Sequence, residues 1–599
     1  MRGLICTLTI FLIFQTEAVF SQLELDVVYP REEQTVNAFD STFVFGSTNI
    51  PKAKVFVNEI PTRVYPNGAF LGVVPVTSGD FSFRCTAVHD TQSVEVVRKV
   101  FVRPFLSTIP RDSFAIDSTY IFPQEDVELL SGDYIHVAFK ATPGLMATCT
   151  IPGLIAHGPM NETEPWNVFD WGEAVFGNGR ASASSPIEGV YTGVFKIPHD
   201  TRLDSAEIIF NLKGMDGIHL QATAPGKLTV RNEQIPQIAV LKEELTVART
   251  GPALGYQQFL PEGVKLLITG KHGNYYRARL TDSENLWVPA SNLELLPKGT
   301  PIPSSRVSLV RTQELENKVK VRVYLQERLP FKIEQVRSPS ALKISVYGAT
   351  SNTDWIRYDF DDPTIKLIKW SQPQSGVYEL TVELHHKQQW GFNPYYEDKN
   401  LVIEIKKPPE KYEIKCLFIC IDPGHGPVDG AIGPTRLKEK NANLQLAMVL
   451  KEELEDKGAE VFLTREGQHG ASLDVRTKMA AFLEADLLLS IHHNALPDGV
   501  DPFTNRGTST YYYHVQSHPL AVAIQKRLLD ELELRNFGLF YDNLALCRPP
   551  QMPAVLIESA FIMHPEEEIL IKSDEYKEEA AEAIIKGIED FLDQAKEDR

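Results

Sequence analysis

The chain has 599 residues, with 60 Lys and Arg against 79 Asp and Glu, which gives a formal net charge of −19. This length corresponds to about three to six domains. With 43% hydrophobic and 23% charged residues the composition is that of an ordinary globular protein, which excludes a disordered or fibrous chain. The net negative charge argues against a nucleic-acid partner, because nucleic-acid binders usually carry a basic face.

The N-terminus has the three parts of a secretory signal peptide. Arg2 precedes an apolar run from Leu4 to Phe14, and a small-residue site at Val19-Phe20-Ser21 follows before Gln22. This run is too short to span a bilayer as a stable anchor, and no later segment is longer and equally apolar. We therefore expect residues 1–21 to be removed and the mature chain to have no transmembrane anchor.

The segment from residue 22 to about 406 is dense in short β-type runs, which predicts several all-β modules. Residues 22–104 carry turn signals about every 8–12 positions and resemble an immunoglobulin-like β-sandwich. Residues 105–232 are predicted to form a β-rich domain of unknown fold. Residues 235–297 resemble an SH3-like barrel, and residues 303–406 again alternate apolar and polar side chains.

The cysteines do not predict a disulfide framework, since only five of the six remain after cleavage and they are widely spaced. Cys416 and Cys420 lie on a predicted strand about 13 Å apart, which is too far for a disulfide bond. We expect both to be small core residues.

After about residue 412, strands alternate with amphipathic helices, which predicts an α/β domain with a mostly parallel sheet and flanking helices over residues 412–599. The predicted strands are Cys416–Asp422, Glu460–Arg465, Asp486–Ile491, Thr508–His514 and Ala554–Glu558. The predicted helices are Asn441–Lys457, Leu473–Glu484, Leu520–Leu534 and Tyr576–Ala595.

Polar side chains stand at the carboxyl ends of three of these strands. His425 follows the first strand, His492 ends another, and Glu558 ends the last, while Glu439 lies at the start of the helix after the first strand. Ligands bind at this edge of an open α/β sheet. Two imidazoles and one carboxylate suit a zinc site with an open position, and a further carboxylate suits a general base. On spacing alone, purely structural roles for these side chains stay open.

The same residues lie in motifs that resemble the zinc-dependent N-acetylmuramoyl-L-alanine amidases of the Amidase_3 type. The resemblance covers about residues 412–596. It is carried, in chain order, by Ile421–Gly426, Gly430–Gly433, Leu437–Leu444, Val461–Arg465, Ser490–Ala495 and Met552–Glu558.

This resemblance implies one Zn²⁺ per catalytic domain, with His425, Glu439 and His492 as its ligands. It implies hydrolysis of the amide between N-acetylmuramic acid and L-alanine in peptidoglycan. The nucleophile would be a water activated by zinc, and Glu558 would act as general base and then as general acid.

The resemblance leaves other polar residues with weaker assignments. His493 is expected beside the ligands rather than among them, because neighbouring residues on a strand face opposite ways. Asn494 and Arg548 are candidates for substrate binding, with a structural role equally open for each. Only Leu496 to Arg506 separates the second His motif from Gly507. We therefore expect no inserted segment that blocks the zinc site. We also expect residues 412–599 to be active on their own.

A peptidoglycan substrate and a signal peptide together imply secretion to the bacterial cell envelope, in the periplasm. In that setting residues 303–406 resemble a β-rich targeting domain, and the β-modules are expected to bind cell-wall ligands. Two alternatives stay open. One is a catalytically silent protein that binds or scaffolds the cell wall, and the other is a zinc hydrolase of a different amide.

Overall fold

A computed structural model describes residues 22–38, 40–104, 107–164, 187–231, 235–358 and 363–598. The predicted signal peptide, residues 1–21, lies outside the described residues. Within these ranges, none of the helices combines the length and the hydropathy that a membrane crossing requires.

The described part of residues 22–104 folds into two β-sheets that share one core. Their strand orders are β1-β3-β7-β6 and β2-β9-β8-β4-β5. Val44 and Phe70 of the first sheet pack with Val55 and Phe83 of the second. We call this unit the N-terminal sandwich; its immunoglobulin-like assignment stays a prediction. The strands are β1 Leu25–Tyr29, β2 Thr35–Val36, β3 Ser41–Thr48, β4 Lys54–Val57, β5 Ile60–Pro61, β6 Arg63–Val64, β7 Ala69–Pro75, β8 Gly79–His89 and β9 Gln92–Val102.

The next two predicted modules are joined by hydrogen bonds between their strands. One sheet has the order β10-β12-β15-β14-β13-β17-β18. A second sheet contains strands from both predicted modules, because β11 of the first module pairs with β23 of the second. The SH3-like assignment of residues 235–297 stays a prediction. The strands are β10 Ile116–Phe122, β11 Val127–Leu130, β12 Tyr134–Ala141, β13 Met146–Ile151, β14 Ile155–Glu162, β15 Val190–Lys196, β16 Leu203–Ala206, β17 Ile209–Lys213, β18 His219–Thr223, β19 Leu228–Arg231, β20 Gln237–Leu241, β21 Leu245–Arg249, β22 Tyr256–Pro261, β23 Lys265–His272, β24 Tyr275–Arg279, β25 Asn285–Pro289 and β26 Leu293–Leu295.

Residues 303–406 form a further pair of sheets, ordered β31-β27-β28-β35-β34 and β29-β30-β33-β32. Their apolar side chains belong to the same core cluster as those of residues 239–293, so these modules pack against each other without a solvent gap. The strands are β27 Ser305–Glu314, β28 Lys318–Val323, β29 Phe331–Val336, β30 Ala341–Tyr347, β31 Ala349–Arg357, β32 Ile365–Gln374, β33 Val377–Leu384, β34 Phe392–Glu397 and β35 Asn400–Lys406.

The C-terminal domain has one sheet with flanking helices, as predicted. The sheet order is β37-β36-β38-β41-β39-β40; β37, β36, β38 and β41 are parallel, and β39 runs antiparallel to β41. Its strands are β36 Phe418–Pro423, β37 Glu460–Leu463, β38 Leu487–Asn494, β39 Thr508–Tyr512, β40 Asn536–Tyr541 and β41 Ala554–Phe561. Its helices are α1 Glu439–Asp456, α2 Leu473–Phe482, α3 His518–Leu532, α4 Pro565–Lys572 and α5 Asp574–Glu597.

Strand alternation divides the core of this domain between the two faces of the sheet. Ile421 and Leu489 face the cluster formed with α1, α3 and α5, whereas Cys420 and Leu488 face α2. The expectation for Cys416 was wrong: the strand begins two residues later, and Cys416 is exposed in a 3₁₀ turn. Cys420, which was also predicted to lie in the core, is buried.

Candidate metal centre and active site

The sheet brings the predicted polar residues to its carboxyl edge. His425 follows β36, His492 lies near the end of β38, and Glu558 lies on β41 directly beside His492 in the strand register. Glu439 is the first residue of α1, and this helix packs over the same edge. Four residues that are far apart in sequence are therefore neighbours in the fold.

His425, Glu439 and His492 converge closely enough to share one metal ion. One possible ligand atom from each residue lies within 4.8 Å of the others. His425 Nε2 is 2.8 Å from Glu439 Oε2, and His492 Nδ1 is 3.0 Å from Glu439 Oε1. The two imidazole rings are nearly perpendicular, with centroids 5.0 Å apart. Two imidazole nitrogens and a carboxylate are a donor set that fits zinc.

Two glycines allow the backbone to approach these ligands. A Cβ at Gly424 would lie 2.2 Å from His492 Nε2. A Cβ at Gly430, which has a φ of +72°, would lie 2.5 Å from Glu439 Oε2. Both distances are well inside van der Waals contact, so any larger residue would displace a ligand side chain. This explains the glycines at positions 424 and 430 in physical terms.

Glu439 is only 4% exposed, and the pKa of its carboxyl is nevertheless lowered. Burial alone raises the pKa of this carboxyl, but hydrogen bonds to His425 and His492 and the charges on their rings outweigh it and hold the pKa well below its ordinary value. The Ala431 N–H and Asn443 Nδ2 also donate to the carboxylate, at 2.8 and 3.2 Å. A carboxylate anchored in this way is suited to bind a cation.

Glu558 has a different environment from Glu439. It is 3% exposed, and its Oε2 atom has no hydrogen-bond partner among the described residues. Burial, followed by the negative charge of Glu439, raises the pKa of Glu558 well above its ordinary value. The two neighbouring carboxyls therefore have pKa values displaced in opposite directions, a pattern typical of sites that carry out acid–base chemistry.

His493 lies beside the candidate ligands, and its backbone N–H donates to Glu439 Oε1 at 3.4 Å. Its Nδ1 donates to Asn443 Oδ1 at 2.7 Å, and the amide of Asn443 in turn donates to Glu439. Burial lowers the pKa of His493 to about 4, so this imidazole is neutral at pH 7. The contacts place His493 in a hydrogen-bonded chain that orients the carboxylate ligand.

Two buried arginines hold the turn that carries His425, and sequence reasoning gave neither of them a role. Arg465 donates to the carbonyl oxygens of Pro423 and Gly424, each at 2.8 Å. Arg476 donates to the carbonyl oxygen of His425 and to Asp422 Oδ1. The carboxylate of Asp422 therefore lies within the network that holds this turn. The feature that could have pointed to this role is the presence of two arginines in segments of the C-terminal domain that otherwise pack well.

The candidates for substrate binding lie in different places. Asn494 is at the end of β38, two residues after His492, and its Oδ1 accepts a hydrogen bond from Ala495 N–H at 2.7 Å. The Arg548 guanidinium lies 5.1 Å from the ring centroids of both Tyr256 and Phe259, which belong to the predicted SH3-like module. A substrate-binding role stays a prediction for both residues.

Comparison with known proteins identifies the family. The family model of the N-acetylmuramoyl-L-alanine amidases of the Amidase_3 type matches residues 419–590. The uncharacterized protein YqiI of Bacillus subtilis is 35% identical over 181 residues, which are 29% of this chain and 85% of that protein. The chain belongs to the Amidase_3 family. The matched region contains all four residues of the candidate site.

Two proteins named as N-acetylmuramoyl-L-alanine amidases are also similar to part of the chain. The N-acetylmuramoyl-L-alanine amidase LytC of Bacillus subtilis is 38% identical over 174 residues, which are 28% of this chain and 34% of LytC. The N-acetylmuramoyl-L-alanine amidase of Clostridium difficile 630 is 33% identical, covers 30% of this chain and 97% of its own, and has a TM-score of 0.28. The match to LytC therefore spans about one third of that protein's length.

Proposed function

We propose that this protein is a zinc-dependent N-acetylmuramoyl-L-alanine amidase that hydrolyses the amide between N-acetylmuramic acid and L-alanine in peptidoglycan. One observation carries the proposal. Three donor atoms of His425, Glu439 and His492 lie within 4.8 Å of one another, next to a buried Glu558. Membership of the Amidase_3 family supports the choice of substrate, as does the activity named for LytC.

In this proposal His425, Glu439 and His492 hold the zinc ion. A bound zinc ion supplies a Lewis acid for the scissile carbonyl and lowers the pKa of water in the site. Asn443 and the Ala431 N–H hold the carboxylate of Glu439, while Arg476 holds the backbone of His425. These contacts fix the ligand side chains before substrate arrives, which is a general requirement for metal sites of high affinity.

Glu558 moves the proton in the proposed reaction. Its Oε2 takes a proton from the attacking water as the water oxygen bonds to the amide carbon. The same oxygen then donates this proton to the alanine nitrogen as the carbon–nitrogen bond breaks, which leaves a lactyl carboxyl group and a free amine. Because Oε2 has no hydrogen-bond partner among the described residues, no protein contact has to break first.

The rest of the chain is proposed to deliver this activity to the cell wall. Residues 1–21 would direct secretion to the bacterial cell envelope, in the periplasm. We assign residues 22–104 as an immunoglobulin-like sandwich, residues 235–297 as an SH3-like barrel and residues 303–406 as a targeting domain, with cell-wall ligands for these β-modules. The description of the relative LytH of Staphylococcus aureus as a probable cell wall amidase supports this location.

The test is mass spectrometry of purified peptidoglycan after digestion by the full mature chain. We expect free stem peptides that begin with L-alanine, their loss after treatment with a zinc chelator, and their return when zinc is added. Glu558→Gln keeps the shape of the side chain and removes its acid–base function, so it should bind zinc and release no peptides.

Two results would contradict the proposal. Intact muropeptides from a zinc-loaded chain would favour a silent cell-wall binding protein or a different amide substrate. Release of stem peptides that persists in the zinc-free chain would exclude the metal from the reaction. His492→Ala should lose its zinc and release no stem peptides. His136→Ala is its control, because His136 is an exposed imidazole on β12, far along the chain from the site.

A further inference from the structure

One sheet of the N-terminal sandwich is apolar on both of its faces. On β3, Val44 points into the core of the sandwich, whereas Phe43 and Phe45 belong to a separate buried cluster on the other side. On β7, Phe70 and Leu71 divide in the same way. A sheet that ends at solvent normally has one polar face. The second apolar face of this sheet therefore needs a partner.

The partner is the C-terminal domain. The outer face of the sheet packs on Leu496 and Val500, in the segment after β38, and on Phe561 and Met563, at the end of β41. The backbone N–H of Leu496 also contacts the sulfur of Met563 at 3.0 Å, so these two segments are joined under the sandwich.

Polar contacts surround this apolar patch. Arg436 donates from Nε and Nη2 to the two carboxylate oxygens of Asp26, each at 2.6 Å. Asp498, which is half-buried, accepts hydrogen bonds from the Tyr29 hydroxyl and, at 2.7 Å, from the Asn37 N–H. The sandwich thus contacts the segment before α1 as well as the segment after β38.

Each contacted segment is close in sequence to a residue of the candidate site. Ile432, at the rim of the apolar cluster, follows Ala431, whose N–H donates to the ligand Glu439. Leu496 comes four residues after His492, and Phe561 comes three residues after Glu558. The sandwich therefore covers the backbone that leads to two metal ligands and to the catalytic carboxylate.

We propose that the N-terminal sandwich is a positioning element of the catalytic centre: by packing on residues 432–436, 496–500 and 561–566 it holds Glu439, His492 and Glu558 in place. The inference rests on the proposed function, because it assigns the sandwich to that same site. Residues 412–599 alone would expose the apolar side chains under the sandwich. We therefore expect that fragment to be weakened, in contrast to the expectation from sequence.

The test is Phe45→Asp in the full chain. A carboxylate on the outer face of β3 separates the sandwich from the C-terminal domain and leaves the core of the sandwich, which Val44 fills, unchanged. We expect zinc affinity and kcat each to fall by about tenfold or more, with KM little changed, because support around metal ligands has effects of this size. Hydrogen exchange should speed up in peptides covering residues 431–440 and 492–500.

Phe101→Asp is the matched control. Phe101 is 45% exposed on β9, which lies in the other sheet of the sandwich. We expect its zinc affinity, kcat and hydrogen exchange to equal those of the wild type. Charge reversal provides a second, milder test. Asp26→Arg and Arg436→Asp should each reduce zinc affinity, and the double variant should restore it.

Unchanged zinc affinity and unchanged exchange at residues 431–440 and 492–500 in Phe45→Asp would overturn the inference, as would a failure of the double charge reversal to restore a loss. These readouts do not depend on hydrolysis. If the wild type releases no stem peptides, the proposed function fails, while zinc affinity and hydrogen exchange still decide whether the sandwich positions the site.

Discussion

Arg476 donates a hydrogen bond to the backbone carbonyl oxygen of His425, so a buried side chain of α2 holds the turn that presents a proposed metal ligand. His425 has a φ of +65°, in the left-handed region that non-glycine residues rarely adopt. Asp422 binds the same arginine and also accepts hydrogen bonds from Thr464 and Ser490. The conformation of His425 is thus maintained by neighbours that bind its backbone.

The first prediction concerns this arginine. Arg476→Met removes every hydrogen bond of the guanidinium and leaves the Asp422 carboxylate buried without its cation. We expect a loss of about 3–5 kcal/mol in the free energy of unfolding, as for other broken buried ion pairs. We also expect zinc affinity to fall by about 10–100-fold. Urea unfolding and competition with a chelator measure the two effects.

Arg84→Met is the control for this substitution. Arg84 forms an exposed ion pair with Glu95 on the sandwich, at 2.8 Å, and such pairs contribute about 1 kcal/mol or less. Its zinc affinity should match that of the wild type. A folded Arg476→Met variant with normal zinc affinity would show that the turn keeps its conformation without the arginine.

The second prediction separates the metal ligand from the proton carrier. Glu439→Gln removes the anionic ligand, so we expect the purified chain to lose most of its zinc. Glu558→Gln should retain the zinc and lose about 10²–10⁴-fold in hydrolysis rate, the range for a missing general acid–base. Metal analysis and release of stem peptides measure the two properties. Equal zinc loss in both variants would contradict the separate roles.

Much of the C-terminal domain was predictable because its apolar strands are continuous and end in polar residues. Ile421, Leu489 and Ile557 lie in such runs, and parallel strands that are buried on both faces produce this pattern. The carboxyl ends of parallel strands meet at one edge, so the proximity of His425, His492 and Glu558 follows from the strand assignments.

Other features depend on contacts between residues that are distant in sequence. β40 was not predicted: it lies half-buried at the edge of the sheet, and Gly538 interrupts its short apolar run. In the sequence, Phe43 and Phe45 cannot be told from ordinary strand residues. Only the fold shows that the C-terminal domain covers them. A 3₁₀ turn precedes the first strand of the C-terminal domain and leaves Cys416 exposed. This turn has no clear sequence signal.

The third prediction concerns Arg548, whose guanidinium lies over Tyr256 and Phe259. Cation–π contacts of this kind contribute about 0.5–2 kcal/mol. We expect Arg548→Ala to loosen the contact between residues 235–297 and the C-terminal domain, seen as faster proteolysis between them, with KM for peptidoglycan unchanged. Arg548→Lys keeps the charge and should show a smaller effect. A raised KM with normal proteolysis would instead support the substrate-binding role.

The last prediction concerns pH and the contact between the N-terminal sandwich and the C-terminal domain. Burial raises the pKa of Asp498 to about 6, and the hydrogen bond from Asn37 opposes this only in part. An exposed aspartate has a pKa of about 3.9. The folded state therefore binds more protons than the unfolded state between about pH 4 and 6. The resulting stabilisation is complete below pH 4 and is lost as the pH rises through 6.

We therefore expect the wild type to be more stable relative to Asp498→Asn at pH 5 than at pH 7, as measured by calorimetry of the full chain. Comparing the two proteins at each pH cancels the titration of all other groups. Each carboxyl oxygen of Asp498 accepts one of the two hydrogen bonds, and asparagine places an NH2 group, which is a donor, at one of these positions. The variant should therefore be less stable than the protonated wild type and lose the pH dependence of this contact. A constant difference between the two proteins from pH 5 to 7 would mean that Asp498 titrates as it does in the unfolded chain. The hydrogen bonds from Tyr29 and Asn37 would then be enough to keep the carboxylate ionised within the contact.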